Sequence, residues 1–332
     1  MRVVLAPMEG LLDDVLRGVL TRLGRYDWAV SEFVRVSGTL LPHRVYLRTS
    51  PELRDRSATA SGTSVRIQLL GSDPVSMQEN AAHLVELSPA GIDLNFGCPA
   101  PIVNRHRGGA VLLDEPELVH RIAVAVRKVV PPHIPFSAKM RIGVNDTARA
   151  LDSARALADG GIDVLAVHAR TKAQGYRPPA HWNWIARIAE AVPVPVIANG
   201  EVWCEADWRR CHAESGVAAL MLGRGAVADP FLADRLRHSP ETPEQGVDRD
   251  AEWRILGPAI GGFWAAVQLK VAPRHAPGRL KQWLNLLRRN YPQAQALFEA
   301  VRPAVAPQAV KALLSAHGIA AARIETAGAG FS

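Results

Sequence analysis

Eight short apolar runs punctuate the first two-thirds of the chain. They are VVLA (3–6), WAVSEF (28–33), VRIQLLG (65–71), GIDLNFG (91–97), PFSAKMRIG (135–143), DVLAVHAR (163–170), VPVIANG (194–200) and AALMLGRG (218–225). Between most neighbouring pairs lies a stretch of about 10–15 residues with apolar positions at helical spacing. ELVHRIAVAVRKVV (117–130) is one; ARALDSARALADGG (148–161) is another, and it ends in glycines that suit a helix C-terminus. Apolar strands alternating with helices predict a parallel sheet covered on both faces. Eight such units predict an α/β fold, a closed (β/α)8 TIM barrel. A doubly wound open sheet is the second choice, but no GxGxxG follows the first run.

The 332 residues exceed the about 250 that a barrel uses. The surplus is C-terminal. Residues 1–238 form the expected barrel, and SPETPEQGVDRD (239–250), poor in hydrophobes, reads as a linker. Residues 251–322 hold WRILGPAIGGFWAAVQLK, GRLKQWLNLLRRNY, QAQALFEAVR and PQAVKALLSAHG, a small all-α helical bundle. Residues 323–332 read as a flexible tail.

The charge is unevenly placed. Residues 1–250 carry 29 basic and 29 acidic residues, whereas residues 251–332 carry 10 and 3, which accounts for the whole net charge of +7. A neutral barrel with a basic appendage points to a polyanionic partner, most simply nucleic acid; the other reading is a solvated basic face. Three cysteines, Cys98, Cys204 and Cys211, make no disulfide framework and have no zinc spacing. They suit a reducing, cytoplasmic setting, with Cys204 and Cys211 structural and no metal expected. No run of about 18 apolar residues offers a membrane span, and the N-terminus lacks a signal-peptide pattern. Nothing advertises an interface, so a monomer is expected.

Barrel sites lie at the C-terminal strand ends. Polar residues cluster there: APMEG (6–10), Glu32 and Arg35, Gln68, Asn95 and Cys98, Lys139 and Arg141, His168 and Arg170, NGE (199–201) and GRG (223–225). The last two loops predict a phosphate site, since glycine lets backbone N–H groups approach an anion. Arg224 adds charge there, and Lys139 suits a neighbouring anion such as a reduced flavin ring. Cys98 sits between Gly97 and Pro99 just past a strand. Its position allows a nucleophile activated by His168, or a protonated thiol acting as an acid.

Read together, APMEG, SEFVRV, VRIQLLG, DLNFGCPAPIVNRHRGGAVLL, AKMRIG, VHARTKAQGY, VIANGEV and LMLGRGA resemble the bacterial tRNA-dihydrouridine synthases. The likeness covers residues 1 to about 235 and continues in RLKQWLNLLR (279–288). SEFVRV and RLKQWL look most like the C subfamily, which modifies uridine 16 of the tRNA D-loop. The resemblance implies an FMN-containing barrel with a helical tRNA-binding domain, reduced by NADPH or NADH. It implies hydride transfer from flavin N5 to uracil C6, with Cys98 as general acid protonating C5. By the same likeness Pro7, Met8, Glu9, Gly10, Gln68, Lys139, His168, Asn199, Gly200, Glu201, Gly223 and Arg224 contact FMN. Asn95 holds the uracil, Arg141 meets uracil or phosphate, and Arg35, Tyr176 and Arg279 meet tRNA.

Arg274, Arg279, Lys281, Arg288 and Arg289 cluster in the basic appendage, a grip on the phosphate backbone of an RNA whose uridine must turn outward. Trp283 lies among them and reads as core. Arg105, His106 and Arg107 stand where relatives carry small residues, and this loop is expected to contact tRNA phosphate and close over the site. Two other readings compete. A flavin barrel that reduces a free pyrimidine base or nucleoside leaves the basic appendage unexplained. A tRNA-binding factor without chemistry leaves Cys98, Lys139 and His168 unexplained.

Overall fold

Each apolar run forms a strand, and the strands close on themselves. In the computed structural model, which describes residues 1–105, 107–238 and 247–320, they are β1 (Arg2–Leu5), β2 (Trp28–Arg35), β3 (Val65–Leu70), β4 (Ile92–Phe96), β5 (Phe136–Arg141), β6 (Val164–His168), β7 (Val196–Asn199) and β8 (Ala219–Leu222). They pair in sequence order, all parallel, and β8 returns to β1. The strands begin or end up to three residues from the limits of the apolar runs. The cause is pairing: a residue such as Ala6 is apolar and buried yet lies beyond the ladder. Helices cover the barrel, as the alternation predicts. The β2–β3 connection departs from a simple crossover, with a short helix His43–Thr49 and a single tight turn Pro51–Arg54.

One group of inward-facing residues comprises Val4, Ala6, Trp28, Val30, Val164, Ala166, Ile197 and Met221, so this interior is packed side chain rather than channel. Parallel pairing places all eight C-terminal strand ends at one mouth.

Charge is also buried in this unit. Asp13 caps helix Asp14–Leu23 by accepting from Leu16 N. On that helix Arg17 is fully buried and meets Glu52 through two bonds, Nε to Oε1 at 2.7 Å and Nη2 to Oε2 at 2.9 Å. Removing one member of such a pair costs about 3–5 kcal/mol, because the other is left without its counter-charge. Arg17→Leu is therefore expected to lower the melting temperature by about 6–20 °C in calorimetry. The double substitution Arg17→Leu/Glu52→Leu should recover most of the loss.

The chain divides into two units, Met1–Gly225 with Leu232–Glu241, and Ala226–Phe231 with Thr242–Ser332. Residues 226–231 thus group with the helical unit, a return that sequence order does not reveal. Of the expected linker, 239–246 lie outside the described residues, and Arg249 and Asp250 already belong to helix Arg249–Lys270. Helices Ala276–Leu287, Pro292–Val301 and Pro307–Ala316 follow. Most of the expected tail, from residue 321 on, is likewise outside the description.

The helical unit has its own core. Trp264 and Trp283 are fully buried, and Trp283 meets Phe263 edge to face at 5.0 Å. Tyr291 is buried too, and donates to Glu252 at 2.7 Å within a group that includes Arg249 and Asp229. Arg288 and Arg289 fall just past the end of helix Ala276–Leu287 rather than inside it, and Arg288 lies over Phe298. Among the described residues no helix is long and apolar enough to cross a membrane.

Candidate active site

The strand ends open into a cleft of about 560 Å3 within the first unit. That volume suits a small ligand or cofactor. Of the residues singled out by sequence, Pro7, Met8, Glu9, Gln68, Asn95, Cys98, Lys139, Arg141, His168, Tyr176, Asn199, Gly200, Glu201, Gly223 and Arg224 line it. The barrel brings together residues up to 217 positions apart because each strand contributes its last polar residues to one rim. Register does this strand by strand: Asn95 pairs with Lys139, Arg141 with His168, and His168 with Asn199.

Other candidates lie elsewhere. Gly10 does not line the cleft; its N–H donates to Glu32 at 2.6 Å. Arg35 borders a separate depression with Ser37, Gly71, Asp73 and Gly108. Arg274, Arg279 and Lys281 belong to the helical unit. Arg274 is exposed, whereas Arg279 and Lys281 are half-buried, Arg279 donating to Gln282 Oε1 at 2.9 Å and Lys281 to Ala304 O at 2.7 Å.

The Cys98 loop is tightly determined. Asn95 Oδ1 accepts from Gly97 N at 3.0 Å and Cys98 N at 2.9 Å, closing the turn after β4. Gly109, at φ +68°, packs so closely that an added Cβ would stand 2.8 Å from Cys98 O. Asn104 Nδ2 bridges Cys98 O and Gly108 O. Burial pushes the Cys98 thiol above its ordinary range; Glu9 adds to this, while the Ala100 N–H, Arg141 and Lys139 oppose it. The thiol is therefore protonated at neutral pH. His168 is also buried, and burial together with the charges of Arg141, Lys139, Arg170 and Arg224 keeps it neutral. No thiolate–imidazolium pair is set up here.

Three cations border the same cleft. Lys139 is half-buried on the cleft wall, and desolvation together with Arg141 lowers its pKa to about 8, against the pull of Asp93. Arg141 donates to Gly97 O, Thr171 O and Gly175 O, tying the Cys98 loop to the loop that carries Tyr176. Arg224 lies over the rings of Tyr176 and Trp203, at 4.6 and 5.0 Å. The fully buried Arg170 pairs with Glu201, which holds the turn after β7. In that turn Gly200 has φ +111°, and a Cβ there would stand 3.0 Å from the His168 ring.

This arrangement fits an anionic, partly planar group. Among the described residues, His168 Nδ1 is buried with no hydrogen-bond partner. A Cβ on Gly223 would meet nothing closer than Met8 Sδ at 3.6 Å, so the glycine leaves room beside the backbone. Burial raises the Glu9 carboxyl, and burial with the Glu9 charge raises Glu32 to about 7, so Glu32 is only partly ionised near neutral pH.

Asn95 has little capacity left for a base. Both acceptor sites are used, one amide hydrogen goes to Gln68 Oε1 at 2.7 Å, and one hydrogen remains. The Arg-rich loop also differs from expectation. Arg105 ends the short helix Pro101–Arg105, and Arg107 makes two bonds to Glu115, 2.6 and 2.8 Å, instead of presenting a free guanidinium. His106 lies outside the described residues.

The motif reading does not mark Asp93, Ser137 or Trp203. A signal for the first two exists. Asp93 and Asn95 are two apart in β4, and Ser137 and Lys139 two apart in β5, so each pair shares a strand face. Among the described residues, His43, His83 and Glu86 form a group of possible metal ligands. The two rings stack with centroids 3.8 Å apart, closer than the about 5 Å that two imidazoles need on one ion with bonds near 2.0 Å.

The chain is 57% identical over 301 residues to a tRNA-dihydrouridine(16) synthase of Cupriavidus necator, covering 91% of this chain and 92% of that one. It is 55% identical over 304 residues to one of Aquipseudomonas alcaligenes, covering 91% and 95%. Among solved structures, a histamine dehydrogenase from Rhizobium sp. 4-9 superposes with a TM-score of 0.55 at 14% identity, covering 80% of this chain and 48% of that one, a likeness of fold alone. The family pattern described as Dihydrouridine synthase (Dus) matches residues 4–291. With that match spanning the barrel and most of the helical unit, the chain belongs to the dihydrouridine synthase family.

Proposed function

We propose that this protein reduces a uridine of tRNA to 5,6-dihydrouridine, using FMN in the cleft and NADPH, or NADH, as the reductant. The target is uridine 16 of the D-loop, the specificity in the names of its relatives. Bound FMN supplies the hydride. The protein's own task is to hold the uracil, exclude water and deliver a proton.

One observation carries this reading: Cys98 faces the cleft as a protonated thiol, with cations and a neutral histidine around the same space. A thiol kept protonated by burial serves as a general acid, so the nucleophile alternative is the weaker one. Lys139, Arg224 and His168 Nδ1 suit the isoalloxazine oxygens and the phosphate of FMN, and Arg141, bonded to three backbone carbonyls, borders the space for the uracil. Gly200 and Gly223 leave space for the backbone to approach it. Asn95 offers its remaining amide hydrogen to the uracil. Arg35 and Arg274 are cations suited to tRNA phosphate, and Arg279 and Lys281, both half-buried and bonded within the helical unit, are less available. The enzyme acts in the cytoplasm as a monomer and needs no metal.

A reductase of a free pyrimidine is not favoured, since its relatives bear names that specify tRNA. The test is direct. Purified protein is incubated with NADPH and unmodified tRNA, and dihydrouridine is mapped by mass spectrometry. The expected product is dihydrouridine at position 16. Absence of dihydrouridine rejects the activity, and its appearance only at another position rejects the assignment.

A further inference from the structure

A buried hydrogen-bond chain runs beneath the cleft and ends at the Cys98 backbone. It begins at Asp93, in the middle of β4 and 1% exposed. Asp93 Oδ1 accepts from Ser137 Oγ at 2.6 Å, and Oδ2 accepts from Gln68 Nε2 at 2.7 Å. Gln68 Oε1 accepts from Asn95 Nδ2 at 2.7 Å, and Asn95 Oδ1 accepts from the N–H groups of Gly97 and Cys98.

The chain has one permitted direction. Backbone N–H groups only donate, so Asn95 must turn its oxygen to Gly97 and Cys98. Its NH2 then meets Gln68, which must turn its own NH2 away. The group receiving that NH2 must accept, and an ionised carboxylate can do nothing else. A flip of either amide would set two donors or two acceptors face to face in a site closed to water, a costly error.

Asp93 also stands one step from Lys139. It pairs in register with Ser137, and Asn95 with Lys139. With the Cys98 thiol protonated, Asp93 is the negative group that favours the Lys139 cation, and Arg141 on the same strand opposes it. His168, across on β6, is neutral. Burial pushes the Asp93 carboxyl above its ordinary range, while its bonds from Gln68 and Ser137 and the charges of Arg66 of β3 and Lys139 favour the ionised form.

We infer that Asp93 is a positioning residue: its buried carboxylate sets the direction of the Gln68–Asn95 chain that holds the Cys98 turn, and it supplies the counter-charge that keeps Lys139 cationic. The consequence for turnover rests on the function proposed above. The consequences for Cys98 and Lys139 do not, and each is measured by itself.

Two substitutions separate the roles. Asp93→Asn keeps an oxygen for Gln68 and can donate to Ser137, so it preserves the chain and removes the charge. Gln68→Leu cuts the chain and keeps the Asp93 carboxyl, removing one of the hydrogen bonds that favour its ionised form. Cys98 is followed by its rate of alkylation with iodoacetamide, resolved from Cys204 and Cys211 by peptide mass spectrometry. Lys139 is followed by NMR titration of 13C-lysine-labelled protein; the chain has only six lysines, and Lys139→Met assigns the signal.

Asp93→Asn should move the Lys139 titration down by about one pH unit or more, and leave Cys98 alkylation within about threefold of the parent protein. Gln68→Leu should raise Cys98 alkylation by more than about threefold as the turn loosens, with the Lys139 titration moving less than in Asp93→Asn. A role confined to general stability would not split the readouts in this way. An unmoved Lys139 titration in Asp93→Asn overturns the charge role. Parent-like Cys98 reactivity in Gln68→Leu overturns the chain. If the parent protein makes no dihydrouridine, the function fails, while both measurements still decide the role of Asp93.

Discussion

Cys98→Ala is expected to lower the rate of dihydrouridine formation by about 100- to 10,000-fold, the usual weight of a positioned acid. Reduction of the bound flavin by NADPH, followed by its loss of colour, should change little, because that half of the reaction needs no proton on uracil. Binding of tRNA should likewise stay within about threefold, since the thiol is small and half-buried. The physical ground is the protonation state. Burial and the Glu9 charge hold the thiol protonated against the pull of Arg141, Lys139 and the Ala100 N–H. Single-turnover measurement separates the steps: flavin reduced normally, product nearly absent. A Cys98→Ala protein that forms dihydrouridine at the parent rate removes the thiol from the reaction.

Lys139→Met is expected to lower turnover by about 100- to 1000-fold at pH 7, the effect of removing one aimed electrostatic group from a water-poor site. Methionine keeps the length and loses the charge. The pH dependence gives a second readout. With its pKa lowered to about 8, Lys139 is cationic at pH 7 and loses its proton as pH rises through about 8. Activity that depends on the cation should fall about tenfold per pH unit above that point, and this limb should vanish in Lys139→Met.

Stability has the opposite sign. Between about 8 and the unfolded value near 10.4, the unfolded chain carries this proton and the folded one does not. This group alone therefore makes stability rise with pH across that window, and its slope disappears in the variant. An alkaline limb that persists unchanged in Lys139→Met assigns it to another group.

Much of the site is legible in the sequence because a parallel barrel puts strand ends at its mouth. Cys98, Lys139, His168 and the glycine loops could be named from that rule, and they line the cleft. What strand ends do not reveal is how far each side chain is already engaged. Asn95 looks free to bind a base, yet the turn it closes takes two of its four hydrogen-bonding sites and Gln68 takes a third. Arg107 looks like a phosphate ligand, yet Glu115, eight residues on, takes its guanidinium. Arg35 ends a strand as the others do, yet borders a different depression.

The sequence by itself determined the barrel, through eight apolar runs whose spacing admits little else, and it determined the chemistry-bearing residues, through their places at the ends of those runs. Family likeness was written in the same residues. Only the tertiary structure decided their states. Whether a thiol is protonated, a lysine is held near its titration point or an amide has a hydrogen to spare depends on neighbours from other strands. Asp93 shows why: it is one polar residue in an apolar strand until the register of β3 and β5 sets Gln68, Ser137 and Lys139 around it.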